Sequence, residues 1–180
     1  QICVSDLGAT GVVRNAIAIA NEAARSGYRV RLLSCSPDGV LRDQIGPAVA
    51  VVRLNEAEGA RLPRRRQVQK GLLGHRRHIR AWGPDIMVSA GNHGHLLSSF
   101  AWAGLPGAKL LRFSNDLMHG KPSLTTRLWL TARFRLMAGL ADRMVYVSQA
   151  QGVHPLLARQ LPAGKAVTIP NRVGLKFGRK

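Results

Sequence analysis

Carboxylates are scarce in this chain. Nine Asp and Glu stand against 27 Lys and Arg, which leaves a formal net charge of +18 over 180 residues. So basic a balance favours anionic partners: phospholipid headgroups, nucleic acid or polyphosphate. Aromatic residues make up only 5%. With no known nucleic-acid motif and no aromatics interleaved with the basic residues to stack on bases, a nucleic-acid partner is not expected. Two cysteines, Cys3 and Cys35, cannot build a disulfide framework and fit a reducing cytosol. No apolar run approaches the roughly 18 residues of a membrane span, and no signal peptide is visible. Internal repeats and low-complexity segments are absent too. Neither a Ser/His/Asp set nor paired carboxylates can be assembled, so hydrolase chemistry has no support. No Cys or carboxylate accompanies the loop histidines at ligand spacing, so no metal site is expected.

What is present begins with the first 33 residues. Ile2-Cys3-Val4 is a short apolar strand, Asp6 to Gly11 a loop of small residues, and Val13, Ile17, Ala20 and Ala24 recur at helical steps until Gly27. Tyr28 to Leu33 is a second strand. Strand, glycine loop, helix, strand opens a Rossmann-like sheet. Gly8 and Gly11 permit a tight turn, and the helix N-terminus beyond them offers unpaired N–H groups to a phosphate. A bare turn explains the same two glycines.

Further strands are expected at residues 48–54, 84–89, 108–113, 142–148 and 166–169. Helices are expected at 64–82, 96–103 and 123–140, with another after Ser148. Strands and helices alternate almost throughout, so the fold class is α/β, a doubly wound parallel sheet of about seven strands with helices on both faces. On the helix at 64–82, Val68, Leu72, Ile79 and Trp82 form the apolar face. The other face carries Arg64, Arg65, Arg66, Lys70, Arg76, Arg77 and Arg80. Gly71 and Gly74 each weaken this helix by about 1 kcal/mol relative to alanine. On the helix at 123–140 the stripe is Leu124, Leu128, Phe134 and Met137, widened by Trp129 and Leu130.

Open α/β sheets bind ligands outside the carboxyl ends of their strands. By that rule His93 and His95 after the fourth strand, and Arg112 and Asp116 at the end of the fifth, are candidate acceptor contacts. Asn115 and Asp116 serve equally as caps of the next turn. The glycine loop also suggests a nicotinamide enzyme. Against that stand Arg14 where the dinucleotide fingerprint wants a third glycine, Ser34-Cys35-Ser36 where it wants an acid, and the lack of a Tyr-x-x-x-Lys pair. An NAD(P)-binding Rossmann protein therefore remains the alternative.

Four stretches carry a resemblance to a known family. They are Gly8 to Gly11 leading into Arg14-Asn15 and closed by Ser26-Gly27-Tyr28-Arg29-Val30; Gly83 to Val88; Leu111 to Asp116; and Asp142 to Ser148 with Val167 to Asn171 downstream. Together the chain resembles the N-terminal domain of group 4 glycosyltransferases, enzymes of GT-B architecture with two facing Rossmann-like domains. The resemblance implies transfer of a sugar from a nucleotide-sugar donor to a glycan or lipid-linked acceptor. It implies retention, no metal and no cofactor, the nucleotide sugar being a substrate. A role in cell-envelope polysaccharide synthesis goes with it. Gly8 and Gly11 would stand beside the donor phosphates. Asn115 takes the place of a histidine in many members, and an amide can position a substrate but cannot act as a base near neutral pH.

On this reading residues 1–170 form the acceptor-side domain, and 171–180 open a linker to a donor-binding domain absent from the sequence. Arg172 and Gly174 depart from the usual Gly-Val-Asp after Pro-Asn. Since Gln1 already lies within a strand, residues before it are expected as well. Without the second domain the chain is expected to fold but to transfer nothing. The basic helix at 64–80 is either a solvated face or a dock on an anionic bilayer, each charge contributing about 1 kcal/mol near the surface. The implied location is cytoplasmic, peripheral on the inner membrane face. A binding module for membranes or nucleic acid is the alternative to an enzyme.

Overall fold

The computed structural model describes residues 1–35, 38–54, 64–91, 94–114, 123–147, 161–162 and 164–171, without the side chains of 64–70 and 72. Seven strands form one sheet: β1 (Ile2–Val4), β2 (Val30–Ser34), β3 (Val49–Arg53), β4 (Ile86–Ala90), β5 (Ala108–Phe113), β6 (Arg143–Tyr146) and β7 (Ala166–Thr168). Their order is β3-β2-β1-β4-β5-β6-β7, and every neighbouring pair is parallel. All seven expected strands are there, several trimmed at their ends. The expected loop at 55–63 and the helix after Ser148 lie outside the described residues.

Helix α1 (Gly11–Arg25) covers one face. Thr10 caps it, its Oγ1 accepting from Val13 N at 3.3 Å. It ends where Gly27 turns at φ +87° and Tyr28 N reaches back to Ala23 O at 3.1 Å. Its core side is built of small and branched residues: Val13, Ala16, Ile17 and Ala20 pack on Ile2, Val4, Leu32 and Val49.

Helices α2 (Arg64–Trp82), α3 (His95–Trp102) and α4 (Leu124–Leu140) share a core on the other face. That core is aromatic and thioether-rich: Met87, Trp102, Phe113, Phe134, Met137, Met144 and Tyr146. Phe113 stacks on Tyr146 with ring centroids 5.4 Å apart. Gly74 of α2 is no defect here. A Cβ there would come within 2.5 Å of Leu54 O, so its absence lets the helix approach the end of β3.

Helix α4 departs from expectation. Phe134 is its first buried residue, and it meets Phe113, the last residue of β5, with centroids 6.3 Å apart. Leu130 still packs against this core, so it is the stretch before it that runs past the carboxyl end of β5. Leu124, Leu128 and Trp129, expected in the buried stripe, are 71%, 61% and 57% exposed, since they precede Leu130, where the helix first packs on this core.

Candidate functional site

The order of strands reverses between β1 and β4, since β1 leads to β2 on one side and β4 follows on the other. Two loops meet at the carboxyl end of that junction. In the first, Asp6 Oδ1 accepts from Gly8 N at 2.8 Å, and Thr10 N donates to Gly8 O at 2.8 Å, which aims the first turn of α1 outward. In the second, Gly91 turns at φ +105° beside α1, and a Cβ there would sit 3.2 Å from Val12 Cγ1. A third segment closes in, as Leu41 N donates to Leu7 O at 3.2 Å.

The two glycines of the first loop differ. At Gly8 a Cβ would sit 2.9 Å from Asp6 Oδ1, the acceptor of the turn's own hydrogen bond, so a larger residue there would make that side chain shift. Around Gly11 a Cβ would meet nothing within 4 Å, and no positive φ demands glycine there. The fold gains nothing from the bare backbone at Gly11, which is exposed at the helix N-terminus. Arg14 is exposed too, so it is not wedged between helix and strand. That removes the steric ground against a dinucleotide, because the close approach of α1 is made by Ala16 and Ala20 instead.

His95 is not a solvated loop histidine. It is the first residue of α3 and fully buried, with Nδ1 2.9 Å from Ser89 Oγ and its ring edge-on to Phe113 at 4.5 Å. Arg112 is buried as well, and its Nη2 donates to Asn171 Oδ1 beyond β7. Burial lowers the pKa of this guanidinium. Arg76 is not on the outward basic face. It is half-buried, and its Nη1 donates to Ala101 O at 3.0 Å and Ala103 O at 2.9 Å. The carbonyls that end α3 have no helical partners and draw in the cation. Arg77 and Arg80 are exposed as expected. His93, Asn115, Asp116 and the side chains of Arg64, Arg65, Arg66 and Lys70 lie outside the described residues.

The sequence reading missed His75. It is buried on α2, with Nε2 2.9 Å from Cys3 Sγ. Its spacing from Leu72 and Ile79 places it on the apolar stripe, so periodicity alone could have found it. Burial pushes the Cys3 thiol up to about 12 and the His75 imidazole down to about 4, so both are neutral at pH 7. This is a neutral hydrogen bond and not an activated thiolate. The pair lines a cavity of about 40 Å³ with Cys35, Ser89 and Ser98. A wider hollow of about 470 Å³, lined by Tyr28, Trp82 and Ile86, lies at the amino ends of the strands, away from the loops just described.

Among solved structures, MurG of Acinetobacter baumannii superposes with a TM-score of 0.60 at 16% identity, covering 99% of this chain and 47% of its own. Anabaena Alr3699/HepE in complex with UDP-glucose gives 0.58 at 13%, covering 94% and 43%. WaaG, a glycosyltransferase involved in lipopolysaccharide biosynthesis, gives 0.57 at 15%, covering 94% and 44%. The chain thus spans less than half the length of these structures, which share its Rossmann-like α/β fold. No curated protein matches the sequence. The family model described as Glycosyltransferase Family 4 matches residues 9–177, and with nearly the whole sequence inside that match the chain belongs to glycosyltransferase family 4.

Proposed function

We propose that this chain is the acceptor-side domain of an enzyme that moves a sugar from a nucleotide-sugar donor to a glycan or lipid-linked acceptor, with retention and without a metal or cofactor. Gly11 is the observation that carries the reading. A glycine that the fold does not need, at a helix N-terminus on the switch point of the sheet, suits a ligand phosphate that must approach the backbone. The HepE structure holds UDP-glucose, which favours a uridine nucleotide as donor. A second domain closes over the donor, so the 180 residues alone bind nucleotide weakly and transfer nothing. His95, buried behind Ser89, shapes the acceptor wall, and Arg112 meets an anionic group. In the enzyme carrying this domain, Gly11→Val should cut kcat/KM for the nucleotide sugar at least tenfold while the melting temperature holds. Unchanged kcat/KM would sink the phosphate reading.

The same domain rests on an anionic bilayer. Helices α2, α3 and α4 contain no Asp or Glu, whereas Arg77, Arg80, Arg127 and Arg135 are exposed on them. The overhang of α4 adds Leu124, Leu128 and Trp129 at the edge where the glycine loop opens. Exposed apolar residues among cations are the makings of an interfacial helix. No helix among the described residues is long and apolar enough to cross a membrane. Co-sedimentation with phosphatidylglycerol vesicles should fall with salt and fall again in the double variant Leu128→Ser, Trp129→Ser. Equal binding to phosphatidylcholine vesicles, or none to either, would overturn the docking.

A further inference from the structure

Arg112 is a buried charge with no counter-charge among the described residues. It is 6% exposed, and the strands on either side set Ala90 and Val145 level with it, both apolar and buried. Its Nη1 is buried with no hydrogen-bond partner. Its Nη2 has only the neutral amide oxygen of Asn171, and no carboxylate pairs with it among the described residues. Taking a guanidinium out of water without a counter-charge is costly, and a hydrophobic residue of similar volume often serves stability better. Asn171, by contrast, is exposed, so its side chain can swing away.

We propose that Arg112 is the anion-binding residue of a subsite at the carboxyl end of β5, and that Asn171 is the neutral placeholder a phosphate or carboxylate displaces. Once Asn171 leaves, Nη2 is freed beside Nη1, which has no partner of its own. The planar fork then offers two parallel N–H donors, the geometry that a phosphate or carboxylate accepts bidentately. A sugar hydroxyl could replace the hydrogen bond to Asn171 but not supply the missing negative charge. The subsite needs no sugar donor, so it can hold even if the phosphate reading of Gly11 fails.

Calorimetric titration of the chain with inorganic pyrophosphate, at ionic strength fixed with chloride, tests this directly. Saturable binding is expected. It should weaken at least tenfold in Arg112→Met and tighten about threefold in Asn171→Ala, which lacks the internal competitor. Without anion, Arg112→Met should melt at the same temperature as the parent or higher. The exposed Arg29→Gln, away from both the subsite and the basic helices, loses the same charge and should bind like the parent. Competition by UDP would assign the subsite to a donor diphosphate, and competition by glycerol 1-phosphate to a phosphorylated acceptor; either supports it. No saturable binding, equal binding by Arg112→Met, or an equal loss in Arg29→Gln would overturn the proposal. A marked drop in the melting temperature of Arg112→Met would do the same, since it would make the arginine structural.

Discussion

The two faces of the sheet are covered in different ways. Helix α1 lies on small residues, Ala16 and Ala20 among them, and carries its own carboxylate, Glu22, ion-paired to Arg25 at 2.6 Å. Opposite, α2, α3 and α4 share a layer of Trp102, Phe113, Phe134 and methionine thioethers, and carry no carboxylate at all. Small side chains bring α1 close and fix where its N-terminus points. Large ones fill a deeper layer whose outer surface is basic. One face is therefore built to place a loop, and the other to present a surface.

Substitutions of opposite kind should break the two faces. The largest effect is expected from Phe134→Ala, which empties the aromatic layer and should cost about 3–5 kcal/mol in urea unfolding. A loss below 1 kcal/mol would mean that the layer is loosely packed. Acidification comes next. His75 binds its proton near pH 4 when folded and near 6.5 when unfolded, so the unfolded chain takes up protons first as pH falls. Stability should be fully present above about pH 6.5 and fall by roughly 3 kcal/mol on the way down through pH 4. His75→Phe should flatten that slope, and an unchanged slope would absolve the imidazole. Ala20→Leu forces extra methylenes between α1 and the sheet and should cost about 1–3 kcal/mol. Leucine tolerated at Ala20 without loss would show that α1 does not sit closely after all.

How much of this was legible in the sequence depends on which partner decides each feature. Strands rich in β-branched residues and a glycine loop before an alanine-rich helix are local patterns, and all seven strands and the four described α-helices could be read from them, though not the single 3-10 turn at Arg42–Gln44. Periodicity says which side chains share a face, not whether anything lies under it. Leu124, Leu128 and Trp129 kept the helical spacing and are exposed, because α4 outruns the strands it covers. Polar residues fail for the opposite reason. Arg76 was read with its charged neighbours on α2, but the carbonyls of Ala101 and Ala103 that hold it belong to another helix. His95 looked like a loop residue until Ser89 and Phe113 closed around it. Arg112 was named as an anion contact from its place at a strand end; its burial and its grip on Asn171, 59 residues away, were out of reach.

Strand order also sets a schedule. Of the seven strands, β1 comes before the others in the chain and lies inside the sheet, where β2 closes one edge and β4 the other, Ile2 pairing with both Leu32 and Val88. At a synthesis rate of about 5–20 residues per second, the side of β1 that awaits β4 stays open for on the order of ten seconds. During that interval an apolar strand presents unpaired N–H and C=O groups next to a half-built sheet of β1, β2 and β3, a template for any passing strand. The growing chain is thus most exposed to misassembly before α2 has emerged in full, and a chaperone that shields Ile2 to Val4 would act in that interval.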